Sequence, residues 1–301
     1  MDSRRNFLRG LAQAATGAPR ETPNSAEQVA AGAEAVPRPP AGAARGDGQD
    51  SRPQVRARYA DALSDPRRGP EAQRALGAAS VLVIGAAGLA APVASYLAGA
   101  GVGRLGVVDD GIVELSDLHA QHLHFTPDIG VPRAHSAAAK LTFLNPEIVV
   151  EPYQVAIGPE NASALLGGHD LVVDCTDDPG VRRLAGATCF AEGVALITVA
   201  VGPRSATIWF VDPRITACLE CAEESSPFAV TAERAGARSA PGGFGPLLGV
   251  VGSLQALVAL DALVSRAPAP PETGLVIDLE RAGLQRVSAV RRVDCPVCGR
   301  R

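Results

Sequence analysis

Two pairs of cysteines, each with the spacing Cys-x-x-Cys, constrain the fold of this chain more than any other feature. Cys218 and Cys221 form the first pair, and Cys295 and Cys298 form the second. Four thiolates in two such pairs satisfy the tetrahedral coordination of one zinc ion. We therefore predict a closed, structural zinc site that ties the C-terminal tail to the domain and takes no part in chemistry. The alternative interpretation is a pair of disulfides or unconnected thiols.

The two remaining cysteines lie in apolar surroundings. Cys175 ends the stretch LVVDC, and Cys189 lies within AGATCFAEG. These surroundings predict buried small side chains rather than reactive thiols. Four of the 6 cysteines have metal-type spacing, which indicates a reducing compartment.

The charge and the apolar runs argue against two classes of partner. The formal net charge is −4, so the composition gives no reason to expect a nucleic-acid partner. The longest apolar run, Pro246–Val264, contains Gln255 and Asp261. These polar residues predict a buried helix of a globular domain instead of a membrane span.

The N-terminal residues 1–52 differ from the rest of the chain. From about Gly17 to Arg52 the sequence is rich in Ala, Gly, Pro, Glu and Arg and contains no aromatic residue. Such a segment cannot bury enough apolar surface to offset its ordering entropy. We therefore expect residues 1–52 to be a disordered extension and residues 53–301 to form the folded domain.

The extreme N-terminus carries a motif similar to the twin-arginine export consensus. It runs from Ser3 to Leu8 and contains Arg4 and Arg5. The segment that follows is short and only weakly apolar, unlike the apolar region of a signal peptide. Three interpretations remain: an export signal, a motif read by a cytoplasmic partner, and a short amphipathic helix. Zinc thiolates suit the reducing cytoplasm, so we expect a cytoplasmic protein.

The folded part opens with the pattern of a nucleotide-binding βαβ unit. Ser80–Ile84 is predicted as a buried parallel strand, followed by a turn containing Gly85 and Gly88. A helical stretch and a second strand come next, and the strand ends at Asp109. This acid stands 24 residues after Gly85, a spacing at which a carboxylate can reach ribose hydroxyls. The turn lacks a third glycine, so a generic strand–helix turn is the alternative interpretation.

The remaining segments alternate between strand and helix patterns. A strand that ends in LVVDC is followed by Thr176, Asp177 and Asp178, at the edge where open parallel sheets bind ligands. The alternation predicts a doubly wound, mostly parallel, Rossmann-like α/β sheet. The other predicted segments are helices at Ala91–Ala100, Gly180–Glu192 and Pro246–Val264, and strands at Arg104–Val108, Leu171–Cys175, Ala195–Val201, Ala206–Val211, Leu275–Asp278 and Gln285–Val290.

These segments together resemble the MoeB/ThiF/HesA family, the bacterial relatives of ubiquitin-activating enzymes. The resemblance rests on VLVIGAAGLAAPVASYLAGAGVGRLGVVDD, LVVDCTDD, PLLGVVGSLQALVALDAL and the two cysteine pairs, and it extends from Arg58-Tyr59 to the C-terminus. It implies a ThiF-type nucleotide-binding domain with a structural zinc ion on four cysteines. It also implies ATP- and magnesium-dependent adenylation of the C-terminal Gly-Gly carboxylate of a small ubiquitin-like sulfur carrier protein.

The resemblance assigns roles to residues of this chain. Gly85 and Gly88 line the nucleotide turn, and Asp109 takes the ribose role. Asp177 takes the place of the acid near magnesium and the reacting phosphate, and Arg133 stands where the family has a lysine. Asp177 and Arg133 are the candidate catalytic residues. Members of the family are typically homodimers, so we expect a homodimer or a heterodimer with a paralogue.

Several residues depart from the family pattern, and most of them lie where phosphate and metal are handled. Asp61 stands in place of an arginine, Gly111 in place of a second acid, Asp117 in place of asparagine and Ala120 in place of a phosphate-binding arginine. Cations must offset the repulsion between an anionic carboxylate and ATP, so these changes weaken the expected site. By position, Arg67, Arg68 or His119 could supply the missing charge. The loop from Glu223 to Gly243 contains no cysteine for sulfur transfer, and Arg238 stands near that place.

Three functional interpretations follow. The first is an active adenylyltransferase with altered phosphate contacts. The second is a degenerate relative that acts as a binding or scaffold subunit. The third, an NAD-dependent oxidoreductase, explains Gly85 and Asp109 but neither the cysteine pairs nor Asp177.

A histidine cluster, HAQHLH, contains His119, His122 and His124. Its spacing fits no standard zinc protease motif. We expect these side chains to line the nucleotide cleft or its covering loop, with metal binding as the alternative.

Overall fold

The computed structural model describes residues 57–64, 69–202, 204–225, 244–264, 274–278 and 283–299. The N-terminal extension and its twin-arginine-like motif lie outside these residues, so both interpretations stay predictions. The helices are α1 (Ala60–Ser64), α2 (Gly69–Ala78), α3 (Ala90–Ala100), α4 (Arg133–Leu144), α5 (Ala162–Leu166), α6 (Pro179–Glu192), α7 (Leu219–Ser225) and α8 (Gly245–Val264). Short 3-10 turns lie at Leu115–Asp117 and Thr126–Asp128.

The described strands form one sheet in the order β3-β2-β1-β4-β5-β6-β7-β8. They are β1 (Ser80–Ile84), β2 (Arg104–Val108), β3 (Val149–Tyr153), β4 (Leu171–Asp174), β5 (Ala195–Val201), β6 (Ser205–Val211), β7 (Gly274–Asp278) and β8 (Gly283–Val287). Neighbours from β3 to β5 are parallel, and those from β5 to β8 are antiparallel. The predicted doubly wound, mostly parallel α/β class is confirmed.

The sheet separates two apolar layers. One layer joins one face of the sheet to α2, α3, α4 and α8, and the other joins the opposite face to α5, α6 and α7. Central strands such as β1 and β4 are buried on both faces, which explains their continuous Val, Leu and Ile runs. The four paired cysteines belong to the second layer.

The last strand differs from its predicted bounds. The sequence predicts Gln285–Val290, whereas β8 covers Gly283–Val287 and pairs only with β7 among the described strands. Four of its five residues are exposed. An edge strand with little burial has only a weak hydrophobic pattern in its sequence. The bounds of β8 are therefore set by its hydrogen-bonded pairing with β7, which the sequence pattern does not reveal.

Helix α8 packs closely against α3 through Gly252. A Cβ atom at this position would lie 2.5 Å from Cγ of Pro92 and 2.7 Å from the carbonyl oxygen of Leu89. Within the described part of the chain, α8 is the one helix long and apolar enough to cross a membrane by length and composition. Its buried residues, including Leu247, Val251 and Gln255, pack in the domain core, as the sequence predicts.

Candidate nucleotide site and cysteine cluster

A cavity of about 950 Å³ lies at the carboxyl edge of β1, β2 and β4. The chain runs from β1 outwards to β2 and β3 and then returns to β4 on the other side of β1. The carboxyl ends of β1 and β4 therefore diverge into a crevice, the position at which open α/β sheets bind ligands. The volume is at the upper end of the range typical of small-molecule sites.

The turn after β1 forms one wall of this cavity, and Asp109 holds it in place. Gly85 and Gly88 have φ angles of 93° and 52°, values that glycine adopts without strain. The backbone N–H of Ala86 donates to Oδ2 of Asp109 at 2.9 Å, and that of Gly111 donates to Oδ1 at 2.8 Å. Each carboxylate oxygen can accept a second hydrogen bond, so Asp109 can still receive a ligand hydroxyl.

Behind the turn, a buried polar network ends on the carbonyl oxygen of Ala86. Nζ of Lys140 donates to Oγ of Ser136 at 2.9 Å, and this hydroxyl lies 2.9 Å from Nδ1 of His124. Nε2 of His124 lies 2.7 Å from the Ala86 oxygen. A carbonyl only accepts, so Nε2 carries the proton and Nδ1 accepts from Ser136. Burial lowers the pKa of His124, which favours this neutral form.

Opposite the turn, the end of β4 presents Thr176 and Asp177 to the cavity. The fully buried Asp174 shapes this segment, because its Oδ1 accepts from both the N–H and the hydroxyl of Thr176, at 3.0 and 2.8 Å. Its Oδ2 accepts from Thr198 at 2.7 Å. Burial raises the pKa of Asp174, although these hydrogen bonds oppose the shift. Asp178 caps α6 by accepting from the N–H of Gly180 at 2.7 Å.

Arg133 lies at the cavity wall between two carboxylates. Its Nε donates to Oδ2 of Asp117 at 2.9 Å and its Nη2 donates to Oδ1 at 3.2 Å. Its Nη1 lies 3.6 Å from Oδ1 of Asp109. Burial lowers the pKa of Arg133, but the contacts with both acids outweigh it and raise the pKa, so the guanidinium stays charged.

The charged groups of the cavity wall are mostly acidic. The second guanidinium among the described lining residues, that of Arg182, lies 3.9 Å from Oε1 of Glu223. Both cavity-lining arginines are therefore ion-paired within the protein. The lining acids are Asp109, Asp110, Asp117, Asp177 and Asp178.

The residues predicted to bind nucleotide meet at this one cavity. Its lining includes Gly85, Gly88, Asp109, Asp177 and Arg133. The structure brings these residues together from three strand ends and the start of α4.

The sequence predicts that the histidine cluster lines the cleft or its covering loop. The first of these is wrong for the described residues, and the second stays a prediction. His119 and His122 are exposed and His124 is buried behind the turn, and none of them is part of the lining. Nδ1 of His119 donates to the carbonyl oxygen of Ser116 at 2.8 Å. This side chain therefore makes a local hydrogen bond within its own loop. Asp61 is exposed on α1. The other candidate cations, Arg67, Arg68 and Arg238, lie outside the described residues.

The four paired cysteines converge at the start of α7 and the C-terminal turn. Their sulfur atoms all lie within 4.8 Å of one another, and all four side chains are buried. The Cys218–Cys295 and Cys221–Cys298 sulfur atoms are 3.5 Å apart, longer than the roughly 2.05 Å of a disulfide bond. Zinc with sulfur ligands at about 2.3 Å requires edges of about 3.8 Å. The cluster could therefore hold a tetrahedral metal ion.

Backbone donors favour a thiolate within this cluster. Burial raises the pKa of Cys295, but N–H groups of Cys298 and Val297 and neighbouring thiols outweigh it and lower the pKa to about 6. Among the described residues, this is the one group of histidine, cysteine and acidic side chains close enough to bind a metal ion.

Sequence reasoning missed the structural roles of three residues around the cavity: His124 supports the turn, Asp174 supports Thr176, and Gly111 leaves space beside Arg133. His124 was noticed only as part of a cluster, because its partners Ala86 and Ser136 are distant in sequence. A buried strand ending in an acid, LVVD, was the available signal for Asp174.

Comparisons with known proteins agree on one family. A sequence profile of the ThiF family matches residues 59–297. The Sulfur carrier protein adenylyltransferase of Thermus thermophilus is 37% identical over 249 residues, covering 80% of this chain and 90% of that protein. The SAMP-activating enzyme E1 of Haloferax volcanii is 35% identical and covers 80% and 88%.

Two further comparisons bear on length and fold. Adenylyltransferase and sulfurtransferase MOCS3 of Xenopus laevis is 34% identical over 80% of this chain, but the chain spans only 53% of that relative. Among solved structures, E. coli MccB with MccA-N7isoASN has a TM-score of 0.68 at 21% identity, covering 76% of this chain and 69% of MccB. At that identity the likeness supports the fold alone.

Proposed function

The chain belongs to the ThiF family, and we propose that it adenylates the C-terminal carboxylate of a small ubiquitin-like sulfur carrier protein. In this reaction a carboxylate oxygen attacks the α-phosphorus of ATP. The bond from that phosphorus to the bridging oxygen breaks, which releases pyrophosphate and leaves an acyl adenylate. The names of the Thermus thermophilus and Haloferax volcanii relatives, which this chain spans almost completely, support this assignment.

One observation carries the proposal. A single cavity of about 950 Å³ is bounded by the glycine turn, by Asp109 on one side and by Asp177 on the other. Apolar side chains such as Ile84, Val108 and Ile157 also line it and suit the faces of an adenine ring.

Each polar residue has a proposed role. Asp109 accepts a hydrogen bond from a ribose hydroxyl while its backbone contacts fix its orientation. Asp177 lines the cavity and would help to hold a Mg²⁺–nucleotide, because protein sites for this group commonly use one or two carboxylates together with phosphate oxygens. Arg133 keeps a positive charge on the cavity wall near the place of the phosphates, but its ion pairs with Asp117 and Asp109 offset much of that charge. Mg²⁺, when bound, would neutralise phosphate charge.

The four-cysteine cluster fits zinc, and we assign it a structural role. Four sulfur ligands leave no open coordination position for a substrate. The ion would join α7 to the C-terminal turn, which the chain otherwise connects only through more than seventy residues.

The oligomer and location remain part of the proposal. A homodimer, or a heterodimer with a paralogue, would fit the family. A cytoplasmic location would fit the cluster of free thiols, because cysteines stay reduced in that compartment. A sulfurtransferase activity is named for MOCS3, of which this chain spans about half, and we do not extend it to this chain.

A second candidate function is a scaffold subunit that binds nucleotide or carrier without chemistry. The observation that favours it is the ion-paired state of both arginines that line the cavity among the described residues. Where the described lining offers no arginine outside an ion pair, the repulsion between the two anionic reactants is less well offset.

Pyrophosphate exchange distinguishes the two functions. The purified protein, Mg·ATP and a Gly-Gly-ended sulfur carrier protein should together incorporate labelled pyrophosphate into ATP. The same carrier lacking its last two residues should not support exchange, and Asp177→Asn should reduce the exchange at least about tenfold, the effect of about 1.4 kcal/mol in a barrier. Carrier binding without exchange would instead establish the scaffold function.

A further inference from the structure

We propose that Asp117 is a specificity-determining residue that withholds Arg133 from the phosphates, so that the site recognises adenosine more strongly than it recognises phosphate number. The proposal rests on the nucleotide site proposed above. It concerns residues 111, 117 and 133, which lie beside one another at the cavity.

The first step is the geometry of the ion pair. Asp117 binds the side of the guanidinium that carries Nε and Nη2, through two hydrogen bonds of 2.9 and 3.2 Å. Bidentate pairs of this kind fix both the position and the direction of an arginine. The remaining nitrogen, Nη1, points towards Asp109 at 3.6 Å. One positive charge is therefore shared between two carboxylates.

The second step is the space that this arrangement needs. A Cβ atom on residue 111 would lie 2.5 Å from Nη1 of Arg133 and 3.1 Å from Oδ1 of Asp109. A side chain there would displace the guanidinium from its present position. The position of the Arg133 guanidinium therefore depends on both the small size of Gly111 and the charge of Asp117.

The third step is the absence of a substitute cation in the described part of the cavity. Arg182 lies near Glu223, and Ala120 faces the beginning of α8, because a Cβ on Gly245 would lie 3.3 Å from Cα of Ala120. A triphosphate carries more negative charge than a monophosphate, but its extra charge meets no uncompensated guanidinium here. The difference in affinity between ATP and AMP is therefore expected to be small.

The test is a double-mutant cycle read by calorimetry with adenosine, AMP and Mg·ATP. The proteins are wild type, Asp117→Asn, Arg133→Met and the double variant. Asparagine keeps the shape of the aspartate but removes its charge, which releases the guanidinium. We expect Asp117→Asn to bind ATP about 5- to 10-fold more tightly, with adenosine changed less than about 2-fold. In the Arg133→Met background the same substitution should change ATP affinity less than about 2-fold.

Asp110→Asn is the matched control. Asp110 also lines the cavity, and the described ion pairs of Arg133 are with Asp109 and Asp117. If the gain came only from removing a negative charge, Asp110→Asn would reproduce it. Far-ultraviolet circular dichroism and melting temperatures confirm that each variant is folded.

The outcomes separate this proposal from the proposed function. An equal ATP gain in Asp110→Asn, an undiminished gain in the Arg133→Met background, or no gain in Asp117→Asn would each overturn the role of Asp117 while leaving nucleotide binding intact. A wild type and an Asp117→Asn variant that both fail to bind adenosine, AMP and ATP would overturn both.

Discussion

Nε2 of His124 donates to the carbonyl oxygen of Ala86 across 2.7 Å. The backbone N–H of Ala86 donates to Oδ2 of Asp109. Both the N–H and the carbonyl group of Ala86 are therefore held by side chains. The glycine turn is flexible by composition, and these two contacts restrict it to one conformation. His124 is thus a positioning residue for the nucleotide turn rather than a metal ligand or a cleft residue.

Two substitutions of His124 distinguish the effect of its hydrogen bonds from the effect of its size. His124→Leu leaves the buried oxygen of Ala86 without its donor, so nucleotide affinity should fall about 3- to 10-fold, the effect of a hydrogen bond worth about 1 kcal/mol. His124→Gln retains a donor and an acceptor and should stay closer to wild type. Calorimetry measures the affinity, and amide hydrogen exchange of residues 85–89 should be faster only in the leucine variant. Equal behaviour of the two variants would refute the positioning role.

Two glycines in α8 should respond oppositely to alanine. Gly252→Ala introduces a methyl group against Pro92 and Leu89 and should lower the free energy of unfolding by about 1–3 kcal/mol. Gly249 has no atom within 4 Å of its Cβ position, so Gly249→Ala should raise stability by up to about 1 kcal/mol through helix propensity. Urea denaturation measures both. A similar loss in both variants would show that α8 does not pack closely through Gly252.

His169 should make stability depend on pH. Burial, followed by the charge of Arg104, lowers the pKa of this side chain from 6.5 to about 4, while Glu151 and Asp170 act in the opposite direction. Between these values the unfolded chain binds a proton that the folded chain does not, so stability is greatest above pH 6.5 and falls as the pH drops towards 4. The full shift corresponds to about 3 kcal/mol.

The pH measurement compares wild type with His169→Asn by chemical denaturation between pH 7 and 5, where exposed carboxylates stay mostly ionised. The buried Asp174, whose pKa is raised by burial, contributes a dependence of the opposite sign in both proteins. In the variant, the free energy of unfolding should depend much less on pH than in wild type. Part of the dependence that remains should come from His124, because burial also lowers the pKa of that side chain. The exposed His122→Asn is the control and should keep the wild-type slope. An unchanged slope in His169→Asn would contradict the assignment.

The cysteine cluster predicts one zinc ion per chain. Elemental analysis of protein purified under reducing conditions should find it, and Cys298→Ser should lose most of it and melt at least about 5 °C lower. Cys189→Ala is the control, because Cys189 is buried outside the cluster and its loss should leave the zinc content unchanged. Wild-type protein without zinc would contradict the prediction.

Much of this protein follows from local sequence patterns. Continuous apolar runs identified central strands such as Ser80–Ile84, because a strand buried on both faces has no polar side. Turn glycines and the acid at the end of the second strand identified the sheet edge that carries the cavity, since parallel strands bring their carboxyl ends together. The cysteine spacing identified the metal-type cluster, because the Cys-x-x-Cys motif is itself local.

Only the tertiary structure decided how charges are paired. The family resemblance presents Asp117 and Arg133 only as two separate substitutions, whereas the fold makes them partners at 2.9 Å. In the sequence His124 is one of three neighbouring histidines, but in the fold it is buried and supports the turn through contacts with Ala86 and Ser136. Pairing of this kind depends on distances of a few ångströms between segments far apart in the chain, and no local periodicity or spacing records those distances.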